Sequence, residues 1–159
     1  ETDDPLILDA GALSERSYPK QRKGPIILTP HPGEMARIAG KTAVEVNENR
    51  IQTASDYAVK HQVTVVLKGV NTVIAFPDGT GYVNITGNRG LSKGGTGDTL
   101  TGILLGLLTQ GYRKAAIMNG VYLHGKTAEL YSENHAPSAM LASDIMRIWP
   151  ELLRRLDLE

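Results

Sequence analysis

The feature that most constrains the fold is a series of short aliphatic runs, Leu6–Leu8, Ile26–Leu28 and Val63–Leu67, each followed by charged or turn-forming residues. Short apolar runs without polar alternation are typical of strands that are buried on both faces, as the strands of a parallel sheet are. Helical patterns separate the later runs along the chain. Strands that alternate with helices predict an α/β layered fold with a mostly parallel sheet.

Two local signals refine this prediction. The segments Thr72–Phe76 and Gly81–Ile85 have strand character, and the sequence PDGT between them is typical of a hairpin turn. Thr42 with Glu45 three residues later forms a capping box, which predicts that a helix begins there. Because 159 residues are the length of one ordinary domain, we expect residues 1–159 to form a single domain with one hairpin in its sheet.

The composition argues against several classes of function. Lys and Arg total 17, as do Asp and Glu, and the absence of a charged tract argues against nucleic acid or a membrane surface as a partner. The sequence has no cysteine, which excludes disulfides and thiolate chemistry and fits a cytoplasmic location. The longest aliphatic stretch, residues 103–108, is too short to span a bilayer, and the N-terminus has no basic signal region.

A glycine-rich turn carries the strongest chemical signal. Gly94, Gly95 and Gly97 lead into an apolar, helix-like run. Glycine permits positive φ and close approach of a ligand, and the first turn of a helix offers N–H groups that lack internal partners. The turn therefore predicts a phosphate site. It is neither a P-loop nor a dinucleotide fingerprint, because the Lys-Ser/Thr pair of the first and the third glycine of the second are missing.

Asp98 follows this turn and admits two interpretations. A carboxylate repels phosphate unless it takes a proton from the group that attacks phosphorus, which is the role of a general base. Aspartate is also favoured as the N-terminal cap of a helix, in which case the glycines merely turn the chain. The spacing alone leaves both interpretations open.

Longer motifs surround the turn. The sequences TPHPGE at 29–34, LKGVNTVIAFPDG at 67–79 and NITGNRGLSKGGTGDTLTGIL at 84–104 together resemble the ADP/ATP-dependent NAD(P)H-hydrate dehydratases of the ribokinase-like superfamily. The resemblance covers nearly the whole chain. It implies a ribokinase-like layered fold, ADP or ATP as co-substrate, and Mg²⁺. It also implies a reaction in which the hydroxyl of hydrated NADH or NADPH is phosphorylated and phosphate is then eliminated, which restores the nicotinamide ring.

The same resemblance implies a role for individual residues. Asp98 would be the base on the substrate hydroxyl, and Gly95, Thr96 and Gly97 would form the anion hole for the transferred phosphoryl group. His31 would contact the hydrated nicotinamide together with Asp98, and Glu34 would organise Mg²⁺ through water. The implied nucleotide-binding residues are Lys68, Gly69, Val70, Asn71, Thr72, Asn88 and Gly97.

Each of these residues also has a purely structural interpretation. Lys68 can be a solvated surface lysine beside a turn glycine, and Glu34 can be an acid that the helix dipole favours in a first turn. His31 can be a loop histidine that is hydrogen-bonded to the backbone. The spacing between His61, His124 and His135 is not that of zinc ligands, so we interpret all three as structural or surface residues.

Two departures from the family pattern bear on these expectations. The family motif resembles Asp-Ala-Asp-Ala-Leu, whereas DAGAL at 9–13 places Gly11 where the second acid would be. Family domains also carry a preceding half of the nucleotide fold, so the resemblance predicts that the N-terminal part of the fold is missing from this chain. We therefore expect a fragment, a second chain that completes the sheet, or self-association across an open strand edge.

The sequence keeps two rival functions open. A ribokinase-like kinase of a vitamin precursor or small alcohol would use the same turn and Asp98 but would release a stable phosphate ester. A non-catalytic fragment or subunit would fit the missing half and Gly11. For the leading interpretation, the expected partners are hydrated NADH or NADPH and an adenine nucleotide, and the resemblance implies a homo-oligomer.

Overall fold

A computed structural model describes residues 3–19, 22–111 and 114–156. They fall into two compact units, residues 1–84 and residues 85–159. The first unit contains the strands β1 (Leu6–Leu8), β2 (Ile26–Leu28), β3 (Thr64–Leu67), β4 (Thr72–Ala75) and β5 (Gly81–Asn84), and the helices α1 (Pro32–Ala39), α2 (Ala43–Glu48) and α3 (Arg50–His61). The second contains α4 (Thr96–Leu108), α5 (Lys114–Tyr131) and α6 (Ala142–Arg155).

The strands of the first unit form one sheet in the order β1-β2-β3-β4-β5. β1 pairs with β2 and β2 with β3 in parallel, whereas β3–β4 and β4–β5 are antiparallel. Four of the five strands therefore run in the same direction, which confirms the predicted α/β fold with a mostly parallel sheet. The predicted hairpin joins β4 to β5, and a second tight connection of residues 68–71 joins β3 to β4.

Aliphatic side chains of the sheet and of the helices that pack on it form the core of the first unit. All residues of β2 and β3 are buried, and Met35 and Ile38 of α1 contribute to the same cluster. The predicted capping box is confirmed, since Glu45 N–H donates to Thr42 Oγ1 at 3.2 Å and Thr42 N–H donates to the Glu45 carboxylate at 2.7 Å. The helical segment is divided at Asn49, whose φ of −131° and ψ of 45° end α2.

The second unit is helical, and its core contains Ile103 of α4, Ala128 and Tyr131 of α5, and Ile145 of α6. The last helix begins at Ala142, and its first turn is capped by Asp144, whose carboxylate accepts the Leu141 N–H at 2.8 Å. Among the described residues, no helix combines the length and the hydropathy that a bilayer crossing requires.

Candidate functional site

Three parallel strands of the first unit deliver charged or polar side chains to one edge of the sheet. Asp9 directly follows β1, His31 lies just beyond β2, and Lys68 directly follows β3. The carboxyl ends of parallel strands meet at the same edge, which is where open α/β sheets bind ligands. A backbone hydrogen bond of 2.8 Å from the Lys68 N–H to the carbonyl of Pro30 holds two of these strand ends together.

Lys68 is the central cation of this edge. Its Nζ lies 2.8 Å from Asp9 Oδ1 and 4.0 Å from Glu34 Oε2. All three side chains are largely buried, with exposed fractions of 23% for Lys68, 15% for Asp9 and 14% for Glu34. Burial by itself raises the pKa of Asp9, but the hydrogen bond and the charge of Lys68 outweigh it, so the pKa lies below its ordinary value. The structure therefore places Lys68 in an ion pair rather than in free solution.

His31 and Glu34 cap the first turn of α1. His31 Nδ1 accepts hydrogen bonds from the Gly33 and Glu34 amides at 3.0 and 3.2 Å, while Glu34 Oε2 accepts the His31 N–H at 2.7 Å. This is a capping box in which a histidine replaces the usual hydroxyl residue. Because Nδ1 accepts, neutral His31 carries its proton on Nε2, which lies 3.5 Å from Glu34 Oε1 on a side chain that is 57% exposed. The structural interpretation thus holds for Nδ1, and Nε2 lies near the Glu34 carboxylate on a ring that is more than half exposed.

The predicted nucleotide-binding segment 68–72 is the turn between β3 and β4. Gly69 has φ +140° and Asn71 has φ +58°, and the Thr72 hydroxyl closes the turn on the Gly69 carbonyl at 3.3 Å. Val70 at the tip is 89% exposed. The turn therefore presents its backbone to solvent, and only glycine accepts the φ of residue 69 without strain.

Arg50, at the start of α3, is hydrogen-bonded to the first part of this turn. Its guanidinium donates to the carbonyls of Leu67 and Lys68 at 3.0 and 3.3 Å. A Cβ at Gly69 would lie 2.9 Å from an Arg50 nitrogen, so a side chain there would displace the guanidinium in addition to straining φ. Sequence reasoning missed Arg50, because a charged residue at the start of a helix gives no local sign that it supports a distant turn.

Asp9 is the second residue that the sequence did not assign to a site. Asp9 directly follows β1, as Lys68 directly follows β3. A charged residue at a strand's carboxyl end could have indicated a place in the site. It could not be read as a contact, because the order of the strands in the sheet is not visible in the chain. Gly11, two residues on, is exposed, and a Cβ there would meet no atom within 4 Å. Space therefore does not explain the missing acid of the family motif.

The glycine-rich turn of the second unit forms the N-terminus of α4. Gly95 is the N-cap with φ +85°, and because glycine has no side chain, no side-chain group caps the helix. Among the described residues, no backbone acceptor pairs with the amides of Gly95, Gly97 or Asp98. These N–H groups and the positive end of the helix dipole have the arrangement that the predicted anion cradle requires.

Asp98 is the third residue of α4, not its cap. Its side chain is exposed and forms no hydrogen bond or ion pair with any described residue. The alternative that Asp98 serves as the N-cap is therefore not what the structure shows. An exposed carboxylate without a partner, next to unpaired amides, can accept a proton from a ligand.

Thr96 and Asn88 hold the loop that precedes the cradle. The Thr96 hydroxyl lies 2.7 Å from the Leu91 carbonyl and 2.8 Å from that of Lys93. Asn88 ties the loop to α5, since its amide donates to the Ala128 carbonyl and its Oδ1 accepts from the Gly90 amide. Both side chains thus form hydrogen bonds within the protein. Any contact that Thr96 or Asn88 makes with a ligand would therefore come from the backbone.

The residues present fit a hydrated Mg²⁺ better than a dedicated metal cage. In the described ranges 3–19, 22–111 and 114–156, no group of three or more His, Cys, Asp or Glu side chains could hold a metal ion. Mg²⁺ usually keeps several waters and takes one or two carboxylates with substrate phosphates, so Glu34 can contact it through water. Asp9 offers a second oxygen donor at the same edge, although Lys68 already neutralises it.

Comparison with known proteins gives consistent results. The family model described as NAD(P)H-hydrate dehydratase matches residues 1–151. A curated relative from Bacillus subtilis, named ADP-dependent (S)-NAD(P)H-hydrate dehydratase, is 50% identical over 98% of this chain and 56% of its own length. A bifunctional NAD(P)H-hydrate repair enzyme from Moorella thermoacetica is 42% identical over 98% of this chain and 30% of its own length.

Solved structures agree with these matches. A crystal structure of the ADP/ATP-dependent NAD(P)H-hydrate dehydratase from Bacillus subtilis, co-crystallised with ATP/Mg²⁺ and soaked with CoA, has a TM-score of 0.93 and 51% identity, covering 96% of this chain and 57% of that one. A ribokinase-like superfamily protein from Enterococcus faecalis has a TM-score of 0.78 and 28% identity, covering 95% and 52%. The chain thus spans 56% of the length of the curated Bacillus relative and 30% of the length of the Moorella relative. The chain belongs to the NAD(P)H-hydrate dehydratase family.

Proposed function

We propose that this chain is part of an enzyme that dehydrates hydrated NADH or NADPH at the expense of ADP or ATP. The observation that carries the proposal is the exposed, unpartnered carboxylate of Asp98 beside the unpaired amides at the start of α4. The names of the relatives from Bacillus subtilis and Moorella thermoacetica support the same substrate class. This chain covers only part of the length of these relatives. On this proposal it is the C-terminal portion of one ribokinase-like domain.

Asp98 acts as the general base in the first half of the reaction. Its carboxylate accepts the proton of the substrate hydroxyl while the hydroxyl oxygen forms a bond to the terminal phosphorus of the nucleotide. The bond between that phosphorus and the bridging oxygen breaks, and the shortened nucleotide leaves. In the second half, phosphate departs from the hydrated ring with the electrons of the carbon–oxygen bond, and the neighbouring ring carbon loses a proton to solvent. The electrons of that carbon–hydrogen bond form the double bond that restores the nicotinamide ring.

The amides of Gly95 and Gly97 support the transferred phosphoryl group. Charge spreads over its non-bridging oxygens in the transition state, and fixed N–H donors stabilise that charge without reorganising. The positive φ of Gly95 turns the chain into α4 so that these donors are exposed together. The backbone amide of Thr96 is a weaker member of the anion hole, because it already donates to the Lys93 carbonyl at 3.4 Å.

The first unit supplies binding residues on this proposal. The turn Gly69, Val70, Asn71 and Thr72 would contact the nucleotide through its backbone, with Lys68 as a nearby positive charge. The Nε2 of His31, on a side chain that is more than half exposed, would donate to the hydrated nicotinamide. Glu34 would hold Mg²⁺ through water, and a bound Mg²⁺ would neutralise phosphate charge. In the second unit, Asn88, whose side chain bonds to its own loop and to α5, would contribute to the nucleotide site by position.

The test is a product analysis with hydrated NADH and either ATP or ADP. We expect the absorbance band of the reduced nicotinamide to return only when the nucleotide is present, with one nucleotide consumed per ring restored. A stable phosphate ester with no recovery of absorbance would instead identify a small-alcohol or vitamin-precursor kinase. Nucleotide binding without any turnover would identify a non-catalytic subunit, and the mass of the native assembly would then show whether a second chain or further copies are bound.

A further inference from the structure

A buried histidine lies against the first turn of α4. His124 of α5 is only 7% exposed, and its Nε2 is 2.9 Å from the carbonyl oxygen of Thr96. A carbonyl can only accept, so Nε2 carries the proton and donates it to this oxygen. The imidazole therefore makes a directed contact with the residue that opens the helix behind the anion cradle.

The packing of α4 against α5 explains how the ring reaches this carbonyl. Gly120 and His124 are four residues apart and thus lie on the same face of α5. At Gly120 a Cβ would be 2.7 Å from a methyl carbon of Leu104, so the lack of a side chain there lets Leu104 of α4 pack directly on the α5 backbone. One turn further along α5, the same close approach brings the ring of His124 to the start of α4.

The carbonyl that His124 contacts belongs to the peptide group whose N–H is that of Gly97. This carbonyl also accepts the hydroxyl of Thr99 at 2.8 Å, so two side chains donate to one oxygen. Hydrogen bonds to a carbonyl polarise its peptide group and strengthen the N–H on the other side. They also hold the plane of that group, which fixes the direction in which the Gly97 N–H points.

We propose that His124 is a positioning residue for phosphoryl transfer, which acts by orienting and polarising the peptide group between Thr96 and Gly97. Thr99 assists through the same oxygen. This inference rests on the proposed function, because it assigns a purpose to the Gly97 N–H as a donor to the transferred phosphoryl group. His124 itself touches neither the substrate nor the nucleotide in this role.

The experiment compares three variants in the intact protein. His124→Leu removes the donor, His124→Gln keeps an N–H donor on a side chain of similar reach, and Ile117→Val removes a buried methylene elsewhere on α5 as the stability control. For His124→Leu we expect kcat to fall about 10- to 30-fold with little change in KM, which is less than the loss for a direct oxyanion donor. We expect His124→Gln to recover to within about threefold of the parent kcat, since the donor is retained.

A spectroscopic measurement keeps the inference testable even if the parent protein has no dehydratase activity. In amide NMR spectra, the Gly97 proton resonance should move upfield in His124→Leu and, by a smaller amount, in Thr99→Val, but not in Ile117→Val. An inactive parent would contradict the proposed function, whereas an unmoved Gly97 resonance would contradict the role of His124. Equal kcat values for His124→Leu and Ile117→Val in an active enzyme would overturn the inference as well.

Discussion

The charged side chains of the candidate site differ between the two units: Asp9, Glu34 and Lys68 of the first unit lie together, whereas Asp98 of the second has no partner among the described residues. Lys68 binds Asp9 at 2.8 Å, and Glu34 closes the cap of α1. The amides of Gly97 and Asp98 likewise lack backbone acceptors. A self-paired cluster holds its own shape before a ligand arrives, while an unpaired donor set gains its partners only from a ligand.

This difference separates stability from activity. Removing a partner from the first cluster leaves a largely buried charge, so the free energy of unfolding should respond. Removing the Asp98 carboxylate breaks no hydrogen bond or ion pair with a described residue, so mainly turnover should respond. The following substitutions test this distinction, beginning with the largest expected effect.

Replacing Asp98 by asparagine should have the largest effect on activity. Loss of a general base lowers kcat by about 100- to 10,000-fold, whereas the folded protein loses only the favourable interaction of an acid with a helix N-terminus, about 1 kcal/mol at most. Steady-state kinetics and urea unfolding measure the two quantities. Asp56→Asn, on the exposed face of α3, is the matched control and should change neither. Turnover equal to the parent in Asp98→Asn would remove the general-base role.

Gly95→Ala should affect both properties. The φ of +85° and a Cβ only 3.1 Å from that of Ala142 make alanine strained, at a cost of about 1–2 kcal/mol, and the displaced amides should lower kcat about tenfold. Gly94→Ala is the matched control, because a Cβ at Gly94 meets no atom within 4 Å. Thermal unfolding and kcat should distinguish the neighbours, and identical behaviour of the two variants would argue against the strained N-cap.

Substitutions of His31 separate its two nitrogens. His31→Ala loses the cap of α1, which costs about 1 kcal/mol, whereas His31→Asn keeps a side-chain acceptor and most of that stability. Both variants lose the Nε2 donor, so KM for the hydrated dinucleotide should rise about tenfold in each, equivalent to one hydrogen bond. If His31→Asn keeps the parent KM, His31 is a helix cap and nothing more.

Lys68→Met should reveal the ion pair through pH. The pKa of Asp9 in the folded protein lies below its ordinary value of 3.8, so Asp9 contributes stability above that pH that is lost as the pH falls through its folded pKa. The variant removes the largest cause of this lowering. We therefore expect it to be less stable than the parent by about 1 kcal/mol at pH 7, and the deficit should shrink as the pH falls below 3.8.

Guanidinium unfolding at both pH values measures this difference. The surface pair of Lys23 and Asp3, 3.9 Å apart with side chains 83% and 69% exposed, provides the control. Lys23→Met should leave stability unchanged at both pH values, because exposed ion pairs contribute little. A deficit for Lys68→Met that is the same at pH 7 and pH 3 would show that lost packing, and not the charge of Lys68, is responsible.

Much of the fold and part of the candidate site could be predicted from local patterns. The aliphatic runs at 6–8, 26–28 and 63–67 are strands or contain them, and the capping box at Thr42 begins a helix. The glycine-rich turn does open α4, and Gly95 has the positive φ expected of such a turn. These features depend on backbone preferences and on the periodicity of neighbouring residues, which a single stretch of chain carries with it.

Contacts between distant residues could not be predicted in this way. Asp9 and Lys68 are brought together only by the order of β1, β2 and β3 in the sheet. His124 was interpreted as structural or surface, and its contact with the Thr96 carbonyl depends on the close approach of α4 and α5 at Gly120. Asn88 was assigned to nucleotide binding, while its side chain is engaged with α5.

The sequence by itself determined where the strands and helices lie and where the backbone can bind an anion, because these properties arise from residues that are neighbours in the chain. Only the tertiary structure decided which charges are neutralised within the protein and which are left for a ligand. That outcome depends on strand order and on the distance between helices, and both are set by the packing of side chains from remote parts of the sequence.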